Sequence, residues 1–131
     1  MKIIELVNRK PVTASSKITI RQAAEVMKKE GVGSIVISDD NYTPIGIVTE
    51  RDIVYAVADG ISLDSTIDQI MSQNPVTIDA DADISEAVAL MSSRGIRHLV
   101  VVNKEGKIVG VISIRDVVKA VGSIALDLAF W

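Results

Sequence analysis

Residues able to do chemistry occur twice in this chain at one spacing, in "GIVTERD" at 46–52 and "GVISIRD" at 110–116. Each stretch places a hydroxyl three residues before a carboxylate, Thr49 with Asp52 and Ser113 with Asp116. Where a strand runs into a helix, that spacing makes a capping box, in which the two side chains satisfy free backbone N–H groups at the helix start. The usual partner in such a box is the longer Glu or Gln, and both copies carry Asp, which favours a second role. A carboxylate beside a glycine-opened strand can accept hydrogen bonds from both hydroxyls of a ribose, as an acidic residue does in dinucleotide-binding folds. Capping and sugar binding are compatible, and both stand.

A phosphate on that sugar would need cations or free N–H groups. "RGIRHLVV" sets Arg97 and His98 directly before a strand, whereas the matching positions of the first copy are uncharged Gly33 and Ser34. Taken alone, Arg97 reads as a surface arginine and His98 as a partly buried, hydrogen-bonded ring. Arg51 and Arg115 recur in both copies although a base in the first helical turn opposes the helix dipole. Contact with ligand, partner chain or a nearby carboxylate all remain open for them. "DADAD" at 79–83 begins like a calcium loop, but Ile84 stands where Gly is required and Leu90 where a bidentate Glu belongs. Solvated charges and one helix cap are expected there instead. "GVGSIV" at 31–36 has Val36 where a dinucleotide loop needs its third Gly, and it follows a helix rather than a strand. With no P-loop, no cysteine and one histidine, neither a metal site nor a catalytic nucleophile–base pair is expected.

The elements that position these residues are repeated as well. Shifting the chain by 64 residues aligns Pro11–Val57 with Pro75–Val121 without a gap, and 14 of the 47 pairs are identical, too many for chance. The match extends backwards, with Ile3, Leu6 and Val7 opposite Ile67, Ile70 and Met71. In each copy "PVT" reads as a short extended segment, followed by a capping box of Thr19 with Gln22 or Asp83 with Glu86. Ile20, Ala23, Ala24, Met27 and Ile84, Ala87, Val88, Met91 follow helical spacing, and Gly31 and Gly95 stop those helices as left-handed caps. "SIVISD" and "HLVVVN" are strands, "IGIVT" and "IVGVIS" the returning strands, and a last helix begins near Arg51 or Arg115. The order β-α-β-β-α occurs twice, with "DGISLDS" as linker.

Composition excludes several classes. The net charge of −3 and the 3% aromatic content argue against a nucleic-acid binder. No apolar run reaches the ~18 residues of a membrane span, and the start lacks a signal-peptide core. "NYT" at 41–43 is read as a turn, and a cytoplasmic globular protein is expected.

These residues carry a resemblance. The doubled G-h-h-T/S-x-x-D motif behind two β-α-β units resembles a tandem pair of cystathionine-β-synthase-type (CBS) domains, a Bateman module, across essentially the whole chain. The resemblance implies an α+β fold of two repeats, 1–60 and 61–131, packed as a pseudo-twofold pair and standing alone without an attached enzyme or channel. It implies a regulatory sensor, not an enzyme, that needs no catalytic cofactor and binds AMP, ADP or ATP in clefts between the repeats. S-adenosylmethionine is the lesser choice of ligand. An interaction or dimerisation module with empty clefts is the alternative. By the resemblance, one cleft combines Ser113, Asp116, Arg97 and His98 with Thr13, Ala14 and Ile18, and Arg115 is counted among the binding residues. The other combines Thr49 and Asp52 with Thr77, Ile78 and Ala82, close to Asp79 and Asp81, so phosphates suit the first. A homodimer built through the helices is implied, with Leu126, Leu128, Phe130 and Trp131 as further apolar surface. An effector protein would be the regulated partner; no membrane or nucleic-acid partner is expected.

Overall fold

The computed structural model describes the backbone of residues 1–129 and the side chains of residues 1–122. The chain divides into two units, Pro11–Pro75 and Met1–Lys10 together with the chain from Val76 onward.

In the first of these, Thr19 starts helix α1 (Ile20–Glu30), because its hydroxyl accepts the Gln22 N–H at 3.0 Å while Gln22 Oε1 accepts the Thr19 N–H at 2.9 Å. Gly31 ends the helix at φ 65°, a left-handed turn that glycine adopts without strain. Strands β1 (Thr13–Ala14), β2 (Ser34–Ser38), β3 (Pro44–Thr49) and β4 (Ser72–Gln73) form one sheet in that order. β1 lies parallel to β2, and the other pairs are antiparallel. α2 (Glu50–Ala58) follows β3 without a loop. The apolar faces of α1, β2, β3 and α2 meet in a core of Ile20, Ala23, Met27, Ile35, Ile37, Val48 and Ala56, which Ile67 completes.

The other unit repeats this plan with β5 (Thr77–Asp79), α3 (Ile84–Arg94), β6 (His98–Val102), β7 (Ile108–Ser113) and α4 (Ile114–Ala129). β5 runs parallel to β6, and β6 antiparallel to β7. Its core is Ala87, Met91, Leu99, Val101, Ile112 and Val117 with Ile78 and Ile3. Asp83 caps α3 through Ser85, whose N–H and hydroxyl both bond its carboxylate, rather than through a reciprocal box with Glu86. Among the described residues, two mixed sheets and four helices make the α+β architecture expected from sequence.

The units and the sequence repeats 1–60 and 61–131 divide the chain at different places. The segment leading into each "PVT" strand packs on the opposite repeat's framework. Ile3, in the single 3-10 turn Ile3–Leu6, donates its N–H to Ala82 O at 2.8 Å, and Ile67, in the turn Ile67–Gln69, donates to Ile18 O at 2.7 Å. Both isoleucines are fully buried. Each repeat's core is therefore finished by the other repeat's leader. The expected apolar tail residues Leu126, Leu128, Phe130 and Trp131 lie outside the residues whose side chains are described.

Candidate functional site

Both T/S-x-x-D motifs form the capping box, and the Asp is long enough to do it. Asp52 Oδ2 accepts the Thr49 N–H at 2.9 Å and the Thr49 hydroxyl at 3.3 Å. Asp116 Oδ2 accepts the Ser113 N–H at 2.8 Å and its hydroxyl at 3.1 Å, and Ser113 Oγ accepts the Asp116 N–H at 3.3 Å. The capping half of the sequence reading is thus formed in both copies, the shorter Asp notwithstanding. The helix begins one residue after the hydroxyl, so the chain turns tightly enough to close the gap. Only one carboxylate oxygen is used in each case. Oδ1 of Asp52 and of Asp116 takes no hydrogen bond among the described residues, and each side chain is only half-buried. A capping aspartate thereby keeps an acceptor for an incoming hydroxyl pair.

Sheet register sets what stands beside each motif. His98 at the start of β6 pairs with Ser113 at the end of β7, and the Ile114 N–H bonds Arg97 O at 2.8 Å. Arg97, His98, Ser113 and Asp116 consequently share one corner of their sheet. Arg97 is exposed and makes no ion pair among the described residues, whereas His98 is half-buried. In the first repeat Ser34 pairs with Thr49, and the Glu50 N–H bonds Gly33 O at 3.1 Å. At that corner the carboxylate of Glu50 lies over Gly33, its carbon 3.5 Å from where a Cβ would sit. No motif singled out Glu50. The signal was the alignment, which sets Gly33 and Glu50 opposite Arg97 and Ile114. Arg51 and Arg115 are exposed in the first helical turns, with no ion pair among the described residues.

The remaining expected residues divide by burial. Thr13, Ala14 and Ile18 line a groove of about 480 Å³ with Gln22, Glu25 and Lys29, between β1 and α1. Thr77 is exposed, but Ile78 is 4% exposed and sits in its unit's core, because β5 turns alternate side chains inward. Its side chain is therefore withheld from any ligand. Ala82 is half-buried and its carbonyl is taken by Ile3. Lys104 Nζ stands 3.9 Å from Asp79 Oδ2 and 3.8 Å from Asp81 Oδ2, which offsets the negative field assigned to "DADAD". The hydroxyl and N–H of Ser85, with a smaller contribution from the Met1 ammonium, hold the Asp83 carboxyl at about 2. Among the described residues no three His, Cys, Asp or Glu are grouped to hold a metal ion, and no helix is long and apolar enough to cross a membrane.

A doubled sheet-corner site of hydroxyl, aspartate and neighbouring strand, on two β-α-β-β-α frameworks, defines a tandem pair. The CBS domain family model matches residues 3–59 and 67–123, and the chain belongs to that family. An uncharacterized protein of Methanopyrus kandleri is 38% identical over 117 residues, 88% of this chain, and the chain spans 60% of that protein's length. Among solved structures, a CBS domain protein from Pyrobaculum aerophilum complexed with AMP superposes with a TM-score of 0.85 at 38% identity, covering 88% of this chain and 89% of that one. The CBS domain pair of protein MJ0100, in complex with 5′-methylthioadenosine and S-adenosyl-L-methionine, gives 0.87 at 28% identity, covering 94% and 97%.

Proposed function

We propose that the chain is a regulatory, non-catalytic module of the cytoplasm that binds adenosine-bearing ligands and acts through an effector protein. The observation that carries this is the half-used aspartate. In both copies one carboxylate oxygen closes the helix cap and the other is left to accept ribose hydroxyls. The similarity to CBS structures that hold AMP, or 5′-methylthioadenosine and S-adenosyl-L-methionine, supports an adenosine moiety. AMP, ADP or ATP is assigned to the Ser113/Asp116 site, where Arg97 supplies a permanent positive charge and His98 a ring N–H donor. Thr13, Ala14 and Ile18 are assigned to the same ligand by the resemblance, and Arg115 is proposed as a further contact. Thr49 and Asp52 form the second site, with Thr77 and Ala82 assigned to it by the resemblance. In this reading the repeats 1–60 and 61–131 each contribute one motif.

Isothermal calorimetry with AMP tests the assignment. Losing a charge-assisted acceptor should weaken binding roughly ten- to a hundredfold in Asp116→Ala, with Asp116→Asn, which keeps a capping oxygen, as the folding control. Arg97→Ala should lower AMP and ATP affinity well beyond any change for adenosine, which lacks the phosphate. Unchanged affinity in both Asp116 variants would reduce the motif to helix capping.

A further inference from the structure

The two sheet corners are built on the same register but carry opposite charge. In one, the residue before β6 is the exposed Arg97, whose backbone oxygen accepts the N–H of the uncharged Ile114 across the strand end. In the other, the residue before β2 is Gly33, and the space its side chain would fill is occupied by Glu50, with Oε1 at 3.5 Å and Oε2 at 3.7 Å from the Cβ position. The Glu50 and Ile114 N–H groups make the same bond, to Gly33 O and Arg97 O, so one corner sets a carboxylate 3.5 Å from the Cβ point at which the matching arginine side chain of the other corner starts. Glu50 is exposed and has no ion pair among the described residues, so its charge is uncompensated. A phosphate reaching toward that corner meets repulsion where its counterpart meets attraction.

We infer that Glu50 sets the ligand class of the Thr49/Asp52 site, rejecting nucleotides in favour of an adenosine-type ligand that is uncharged or cationic at its 5′ side. This rests on the adenosine-binding reading above and goes beyond it, because it moves the discriminating charge from Asp79 and Asp81, which Lys104 offsets, to a residue adjoining the motif itself. Gly33 tolerates a side chain: the nearest atoms to an added Cβ are those of the Glu50 carboxylate, at ordinary contact distance.

Adenosine and AMP, which differ only in the 5′-phosphate, are titrated by calorimetry into the full chain, with Asp52→Ala and Asp116→Ala assigning each heat to its site. In Glu50→Gln the Asp52-dependent affinity for AMP should rise roughly three- to tenfold, the range of a screened surface charge, while adenosine stays within about twofold. The exchange Gly33→Arg/Glu50→Ile should raise AMP affinity there further. If AMP affinity at that site is unmoved in both variants, or adenosine rises equally, the role of Glu50 is overturned, although AMP binding lost in Asp116→Ala would leave the adenosine reading standing. If the unmodified chain binds neither probe, the adenosine reading falls and this inference with it.

Discussion

The glycine that opens each motif is explained by what lies on it. Gly46 and Gly110 do not adopt positive φ. A Cβ on Gly46 would lie 2.5 Å from Met71 Sδ and 3.2 Å from Ser72 O, and one on Gly110 would lie 2.6 and 2.7 Å from the two γ-carbons of Val7. Met71 and Val7 are matched positions in the repeat alignment, so each motif glycine is the seat for the leader segment that completes its unit. The same residue that lets the strand run close to its neighbour thus positions Thr49 or Ser113 three residues on. Gly46→Ala and Gly110→Ala should each destabilise by about 1–3 kcal/mol, as overpacking does. The second should be the larger, because β-branched Val7 has fewer rotamers with which to withdraw than Met71. Urea denaturation of the two variants checks both size and order.

At the scale of elements, the helix caps differ in how they respond to acid. Thr19 caps α1 without a charge, whereas the Asp83 carboxylate at the start of α3 is held at about 2, below its ordinary 3.8, chiefly by the Ser85 hydroxyl and N–H. A carboxyl whose folded value is depressed contributes stability in full above its unfolded value and loses it as pH falls through the folded one. The difference in melting temperature between the parent chain and Asp83→Ala should accordingly be constant above pH 3.8 and shrink as pH approaches about 2. A Thr19→Ala control should give a difference that does not vary over that window; equal pH dependence in the two would remove the Asp83 charge as the cause. These caps were legible in the sequence because capping is local chemistry, and so were the four helices and the paired strands, whose apolar spacing is set by the faces they bury. The leader turns and β4 were not legible, since a two-residue strand and a single 3-10 turn have no periodicity and take their place from tertiary contact. Glu50 belongs to no motif, and only the alignment of Gly33 with Arg97 pointed to it; its place over Gly33 comes from tertiary contact. The Asp39–Tyr42 turn shows the converse. Tyr42 adopts φ 61° where its counterpart Gly106 has 76°, because Asp39 Oδ1, like Asn103 Oδ1, accepts two backbone N–H groups and fixes the loop regardless of the residue.

For the whole molecule, the helices leave apolar surface that a single chain does not cover. On α4, Ile114, Val118 and Val121 follow i, i+4, i+7 spacing and are 40%, 59% and 43% exposed. α3 and α4 frame an apolar groove of about 450 Å³ there, with Val88, Met91 and Val117 on its walls. On α2, the matched helix of the first repeat, Val54, Tyr55 and Val57 are exposed as well. Scattered apolar residues are normal on a surface, but Val54 and Val57 occupy the α2 positions that match Val118 and Val121 on α4, and the same apolar pair exposed on both helices marks each as an interaction surface. A second copy is the occupant proposed here, because an isologous interface needs only one patch complementary to itself, and an uncharged apolar helix stripe can pack against its own copy across a twofold axis. Light scattering on the order of tens of micromolar chain should give twice the 14.0 kDa of one chain. Val118→Glu places a charge in the middle of the α4 stripe, where burial would leave it unpaired, and should return the mass to that of one chain while AMP binding through Asp116 persists. A single-chain mass for the parent protein, or a dimer indifferent to Val118→Glu, would show that the helix faces serve the effector protein or the solvent instead.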